Sequence, residues 1–388
     1  MTQRSLLLSD IFPPKTGGSG RWFWEIYSRL PRSDFFIVAG EDPRAVEFDR
    51  THDLRLVRWP LEMRTRGLKS FGNFKHYLKT ARRLRKLVKQ EGITAVHASR
   101  NLSEGFIAYL LKKFRGTPYL CFVHGEDVAI STTSRELAWM TRRVLKNAQL
   151  VIANSRNTQA MLLKEWNLPE SKVRLLYPGV DTKRFVPAAR DENIRAQFGW
   201  VGKQVVLTVG RLQKRKGQDH LIQAVKLLRE QLPNLHYAIV GDGEEAKNLR
   251  ELVQREGLQD RVQFLSEISD AQLMQCYQQC DLFALPNRAV GRDIEGFGMV
   301  LLEAQACGRP VLAGDSGGTA ETMRIPETGC IVDCTKPEPL AAALAELFTK
   351  PARLDEMGRQ GRMWVCERFD WEALAKEAQA VFATVGGK

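Results

Sequence analysis

Glu295 and Glu303 enclose the segment Glu295-Gly-Phe-Gly-Met-Val-Leu-Leu-Glu303, in which a glycine-spaced turn runs into an apolar helix start. A turn entering a helix presents free backbone N–H groups and the positive end of the helix dipole. Such a place suits a phosphate or another anion. Carboxylates repel a phosphate but accept hydrogen bonds from the hydroxyls of a sugar or ribose. Polyol on the acids and diphosphate on the amides together describe a sugar nucleotide.

Cations occur where that diphosphate needs them. Gly210-Arg211-Leu212-Gln213-Lys214-Arg215-Lys216-Gly217 follows an apolar strand pattern and precedes a helical one. Arginine offers a planar fork and lysine a mobile point charge. Arg211 at the strand end and Lys216 just before the helix are the expected phosphate ligands, and Lys214 and Arg215 are expected to be solvated. His124-Gly125-Glu126-Asp127 ends another strand pattern. There His124 could donate to a sugar hydroxyl or to charge developing in a transition state. Earlier, Pro13-Pro14-Lys15-Thr16-Gly17-Gly18-Ser19-Gly20 permits close backbone approach, with Ser19 a candidate helix cap. Its spacing is not that of a dinucleotide-binding loop. Gly241-Asp242-Gly243 reads as a plain turn, and Ser316-Gly317-Gly318 as a second strand-to-helix junction whose amides could add donors.

Two series of alternating strands and helices must position these residues. The first comprises strand patterns at Ser5–Ser9, Phe35–Gly40, Leu54–Trp59, Ala95–Ser99, Tyr119–His124, Leu150–Asn154 and Val173–Tyr177. The second comprises Gln204–Gly210, His236–Gly241, Val262–Leu265, Asp281–Leu285, Pro310–Gly314 and Cys330–Asp333, with helices such as Gln218–Gln231 and Glu244–Arg255 between them. Alternation of this kind implies parallel sheets covered on both faces. The predicted fold class is therefore α/β, two Rossmann-like doubly wound domains facing a cleft, with ligands at the carboxyl ends of the strands. The expected domains are 1–182 and 183–370.

Bulk composition narrows the field. Residues 1–190 hold 34 lysines and arginines against 17 acids, whereas the whole chain has a net charge of +13, so the basic character belongs to the first half. That half should meet an anionic partner. Arg64 to Lys89 contains ten cations and no acid, with Leu68, Phe71, Phe74, Leu78, Ala81, Leu84 and Val88 at three- and four-residue steps. This is a basic amphipathic helix, suited to packing inward on one side and to meeting anionic lipid on the other. No apolar run reaches the ~18–20 residues of a membrane span. Met1 to Asp10 lacks a signal-peptide layout, which points to the cytoplasm. The seven cysteines include no C-x-x-C pair and read as reduced thiols.

Taken in order, Gly17-Gly18, His124-Gly125, Gly210-Arg211-Leu212, Lys216-Gly217, Pro286, Glu295 through Glu303, and Gly317-Gly318 with Glu321 resemble the GT-B glycosyltransferases, and within them the retaining family 4. Arg215–Asp219 and Glu303–Gly308 are similar to the corresponding stretches of bacterial phosphatidylinositol-mannoside mannosyltransferases. The resemblance implies a donor such as GDP-mannose and a lipid-linked or saccharide acceptor in cell-envelope polysaccharide, lipopolysaccharide or glycolipid synthesis. It implies donor contacts at Gly17, Gly18, Gly210, Arg211 and Lys216, at Glu295 for sugar hydroxyls, at the backbone of Phe297, Gly298, Met299 and Val300, and at Glu303 for the ribose. His124, Arg211, Lys216 and Glu295 are the implied catalytic set. It also implies that a terminal helix over 371–388 packs back on the first domain. The loop departs from many members in that Ser-Gly-Arg follows Gly18.

The departing diphosphate gains negative charge, which Arg211, Lys216 and a helix N-terminus would oppose. No two aspartates are separated by one residue, so the common Asp-x-Asp metal motif is missing and no metal or other cofactor is expected. Other readings are a UDP-sugar-dependent transferase, a sugar-nucleotide epimerase, or a non-catalytic basic protein bound to membranes or nucleic acid. The basic-protein reading leaves the acid-flanked segment unexplained, and no nucleic-acid partner is expected. The expected location is the inner face of the cell membrane, held peripherally through residues 64–89.

Overall fold

The computed structural model describes residues 4–15, 17–63 and 65–385. Thr16 of the first glycine loop, Arg64 of the basic segment, Met1–Gln3 and the last three residues lie outside the described residues. The chain forms two compact units, one running to Pro178 and resuming at Trp371, the other spanning Gly179–Asp370.

The first unit holds β1 (Ser5–Ser9), β2 (Phe35–Gly40), β3 (Leu56–Trp59), β4 (Ala95–Ala98), β5 (Tyr119–Val123), β6 (Leu150–Ala153) and β7 (Val173–Leu175). They pair in parallel in the order β3-β2-β1-β4-β5-β6-β7. The second unit holds β8 (Gln204–Val209), β9 (Leu235–Val240), β10 (Val262–Leu265), β11 (Leu282–Leu285), β12 (Val311–Gly314) and β13 (Gly329–Val332). Their order, again all parallel, is β10-β9-β8-β11-β12-β13. The expected fold class, α/β with two doubly wound Rossmann-like domains, is the one observed.

Central strands such as β1, β5 and β9 are buried along their whole length, as a sheet with helices on both faces requires. In the first unit Leu6, Leu8, Val96, Cys121 and Val151 pack against Tyr77, Leu84, Phe106 and Met140 from the covering helices. In the second, Val206, Tyr237 and Leu282 meet Leu221, Leu252 and Leu344. Helix starts are fixed locally: the Ser134 and Ser155 hydroxyls accept from Leu137 and Thr158 amides, and Ser269 with Gln272 forms a capping box. Gly17, with no side-chain cap, stands at the N-cap of the helix Gly18–Tyr27, so Ser19 lies inside the first turn and caps nothing. A residue two positions past the N-cap already has helical backbone, whereas the side chain of the cap residue itself is the one placed to accept from the free first-turn amides.

The helix Trp371–Phe382 belongs to the first unit. Phe382 packs on Tyr27, Phe35, His97 and Phe122, and Trp371 is buried. No helix among the described residues is long and apolar enough to cross a membrane. All seven cysteines are free, and burial raises the thiol of Cys276 to about 12, so it stays protonated.

Candidate active site

In each sheet the strand order reverses once, between β1 and β4 and between β8 and β11. The two connections leaving such a pair diverge and open a crevice at the carboxyl ends. In the second unit that crevice is bounded by the loop Gly210–Gly217 after β8 and by Pro286-Asn287-Arg288 after β11. The Arg288 amide donates to the Arg215 carbonyl at 2.8 Å, tying the two loops together.

Glu295 sits at the centre of this junction, 8% exposed. Lys216 Nζ and Arg215 Nη1 each approach its Oε2 at 2.5 Å. Burial alone would raise the Glu295 carboxyl, but the Lys216 and Arg215 charges overcome it and hold the group below the usual carboxylate range. Glu295 is therefore an anion that can only accept hydrogen bonds. Arg215 also reaches Asp293 at 3.1 Å. This corrects the expectation for Arg215: it is buried between two acids rather than solvated. The three-residue 3-10 turn Lys214–Lys216 swings its side chain inward, a rotation the charge run does not reveal.

Close backbone approach holds Glu295 in place. A Cβ on Gly317 would stand 1.7 Å from the Glu295 carbonyl oxygen, and the Gly318 amide donates to that same oxygen at 3.1 Å. Gly317 also has φ +64°, so no other residue fits there without moving Glu295. The Ser316-Gly317-Gly318 segment leads into the 3-10 turn Thr319–Thr322 instead of the expected helix. The buried Ser316 hydroxyl beside it has no hydrogen-bond partner among the described residues. Gly217 is constrained likewise, its Cβ position lying 1.7 Å from the Pro286 carbonyl oxygen. Gly241 and Gly243 pack against the Gly210 and Leu212 carbonyls, so the plain turn expected there buttresses the Arg211 loop.

Phe297 is buried, and Gly298 stands in the left-handed region as the N-cap of the helix Met299–Ala306. The amides of Met299 and Val300 donate to no other described residue, leaving two N–H groups open at the helix start. Glu303, in the second turn, is buried, and its Oε2 accepts from Tyr277 Oη at 2.6 Å. Arg211 is exposed and makes no side-chain bond among the described residues. The second unit thus brings Lys216, Glu295 and the turn Phe297–Val300 to one crevice edge. It leaves the Arg211 side chain in solvent.

Two further pairs escaped the sequence reading. Arg288 forms a two-pronged bond to Asp219, both contacts 2.8 Å, and fixes the start of the helix Gln218–Leu227 beside β11. Asn287 donates to Ser316 O and accepts from the Gly314 amide. Their one visible sign is a polar pair one proline beyond a wholly apolar strand.

In the first unit His124 follows β5, nearly buried, with Trp22 and Phe23 edge-on to its ring. Its Nε2–H donates to the Ser99 carbonyl at 2.8 Å, which fixes the orientation of the ring. Asp127 accepts from the His124 and Val128 amides and so shapes the turn. Glu104 accepts from the Asp10 amide, the Ser99 hydroxyl and Arg100. Arg100 and the Asp10 amide lower its carboxyl to about 2 despite burial. Asp10 in turn pairs with Lys15 and Arg100. Gly17 and Gly18 begin the neighbouring helix.

The chain matches known protein families over most of its length. Residues 16–184 match the family model described as Glycosyltransferase Family 4, and residues 190–364 match that described as Glycosyl transferases group 1. The GDP-mannose-dependent alpha-(1-6)-phosphatidylinositol monomannoside mannosyltransferase of Mycobacterium tuberculosis is 31% identical over 382 residues, 96% of each chain. The chain belongs to the family 4 glycosyltransferases. The protein of the same description from Mycolicibacterium smegmatis is 30% identical to this glycosyltransferase over 373 residues, 94% of each chain. Anabaena HepE, crystallised in complex with UDP, shares its fold with a TM-score of 0.81, 21% identity, and coverage of 98% of this chain and 100% of that one.

Proposed function

We infer that this glycosyltransferase moves mannose from GDP-mannose to a lipid-linked acceptor of the cell envelope, with retention of anomeric configuration and without a metal ion. The carrying observation is Glu295, an ionised carboxylate held by Lys216 and Arg215 beside the open amides of Met299 and Val300. The donor and acceptor classes are supported by the GDP-mannose-dependent relatives, similar over nearly their full length.

In this reading Glu295 accepts from the hydroxyls of the donor sugar. Lys216 turns from Glu295 to the diphosphate as the glycosyl bond breaks, joined by the Arg211 guanidinium, which reaches in from solvent. The Met299 and Val300 amides and the helix dipole behind them face the same charge. Fixed cations thus take the part that a divalent ion plays elsewhere. Glu303 receives the ribose hydroxyls, and Tyr277 Oη fixes its rotamer. His124, held by Ser99, offers hydrogen-bonding capacity to the sugar, and the Gly17-Gly18 loop gives a ligand close access to backbone. The enzyme works peripherally at the inner face of the membrane, with the basic helix Phe71–Gln90 toward anionic lipid.

The test is transfer from GDP-mannose to a phosphatidylinositol-mannoside acceptor in excess chelator, with the product's anomeric configuration read by NMR. Transfer with retention is expected, and Glu295→Ala abolishes it. Transfer from a UDP-sugar in place of GDP-mannose, dependence on a divalent cation, or an inverted product each overturns the corresponding part of the reading.

A further inference from the structure

The first unit carries an apolar groove on three of the helices that cover its sheet. Helix Glu104–Arg115 packs against both Phe71–Gln90 and Arg135–Asn147. Over it opens a cavity of about 300 Å³. Phe74, Tyr77, Phe106 and Trp139 line it, Tyr77 and Phe106 being the buried ones, and the exposed Lys113 and Arg143 complete the lining. Phe74 is 45% exposed and Trp139 48%, and Phe71, one turn before Phe74, is 79% exposed. Contiguous aromatic surface of this kind marks a place where another molecule binds.

Charge identifies the occupant. The three helices carry fourteen lysines and arginines against two glutamates. Both glutamates are taken up by backbone amides: Glu104 by Asp10, Glu136 by Leu68 and Lys69. Lys113 has no acidic partner among the described residues, and Arg143 lies over the Trp139 ring, 5.6 Å from its centre, likewise without one. A second copy of this chain would bring the same cations against themselves. An apolar slot rimmed by unpaired cations and flanked by exposed aromatics fits a hydrocarbon tail with an anionic head.

We propose that this groove takes one acyl chain of an anionic phospholipid, with the head-group phosphate between Lys113 and Arg143. The proposal rests on the lipid-linked acceptor assigned above and adds the site at which lipid is gripped. Lipid drawn into the groove anchors the first unit by more than surface charge and turns one face of it to the bilayer.

Trp139 reports directly on the groove. Wild type and Trp139→Phe are titrated with phosphatidylcholine vesicles, with and without phosphatidylglycerol brominated along its acyl chains. Bromolipid is expected to quench wild type clearly more than Trp139→Phe, and only when phosphatidylglycerol is present. Lys113→Ala with Arg143→Ala is expected to weaken vesicle binding about thirtyfold at unchanged melting temperature, two cations near an anionic surface each contributing a comparable factor. Equal quenching of both proteins, equal binding to pure phosphatidylcholine, or a concentration-dependent dimer that shields Trp139 overturns the proposal. Thermal shift by GDP-mannose in the same variants separates the two ideas: a failed donor reading appears there, a failed groove in the quenching.

Discussion

At the scale of single residues the site is a balance of buried charge. Glu295 is tolerable in the interior because Lys216 and Arg215 stand 2.5 Å away. Removing one member of such a group leaves the others uncompensated, which costs about 3–5 kcal/mol. Glu295→Gln should therefore lower the unfolding free energy by roughly 3 kcal/mol at neutral pH. The pH dependence has a definite sign. The folded carboxyl lies below its unfolded value of about 4.3, so its contribution is complete above that value and is lost as pH falls through the lower, folded one. Denaturant titrations should show the gap between wild type and Glu295→Gln closing below about pH 4; a gap constant with pH would contradict this balance. Glu295, Lys216 and the open turn at Phe297–Val300 were legible because residue type and local spacing announce them. Arg215 and the Arg288–Asp219 pair were not. Which of four neighbouring cations turns inward depends on a 3-10 turn, and Arg288 meets Asp219 only because β11 pairs with β8.

At the scale of elements, the strands were visible as short apolar runs because parallel sheets bury both faces. Their ends shift by a residue or two. His124 and Gly210, read as strand termini, begin the connecting turns. The helix in the basic segment begins only at Phe71, where Ser70 accepts from the Asn73 amide. Sequence did not reveal the strand order, and with it the two switch points that give Lys216 and His124 their meaning. The glycine turns are the elements most exposed to substitution. Gly317→Ala must push the Glu295 carbonyl aside and adopt a left-handed backbone, the latter alone costing ~1–2 kcal/mol. We expect it to lower the melting temperature and weaken donor binding together, by differential scanning fluorimetry and calorimetry. Gly210→Ala, where a Cβ meets no atom within 4 Å, should disturb packing far less, its cost confined to the backbone. Equal losses in both variants would rule out steric crowding as the reason for Gly317.

At the scale of the whole molecule the chain closes on itself: its last helix completes the unit its first strand began. The amphipathic pattern after Asp370 is visible in sequence, but its partners Tyr27, Phe35, His97 and Phe122 are hundreds of residues distant. Truncating a buried phenylalanine to alanine costs about 3–5 kcal/mol. Phe382→Ala should thus destabilise the first unit by about that amount, with proteolytic cleavage appearing within residues 4–178 before Gly179–Asp370. Early cleavage confined to the second unit would contradict the assignment of this helix. Charge is divided along the chain as well: residues 1–190 are basic, while residues 191–388 hold 24 lysines and arginines against 28 acids.

The central claim is that Lys216 leaves Glu295 for the donor diphosphate. Calorimetric titration of GDP-mannose into wild type and Lys216→Ala, both in excess chelator, tests it most directly. Measurable binding to wild type without a divalent ion is expected, with at least a tenfold loss in the variant, the ~1.4 kcal/mol of one charge-assisted phosphate contact. Equal affinity in the two proteins, or binding to wild type only when a divalent ion is restored, would contradict it.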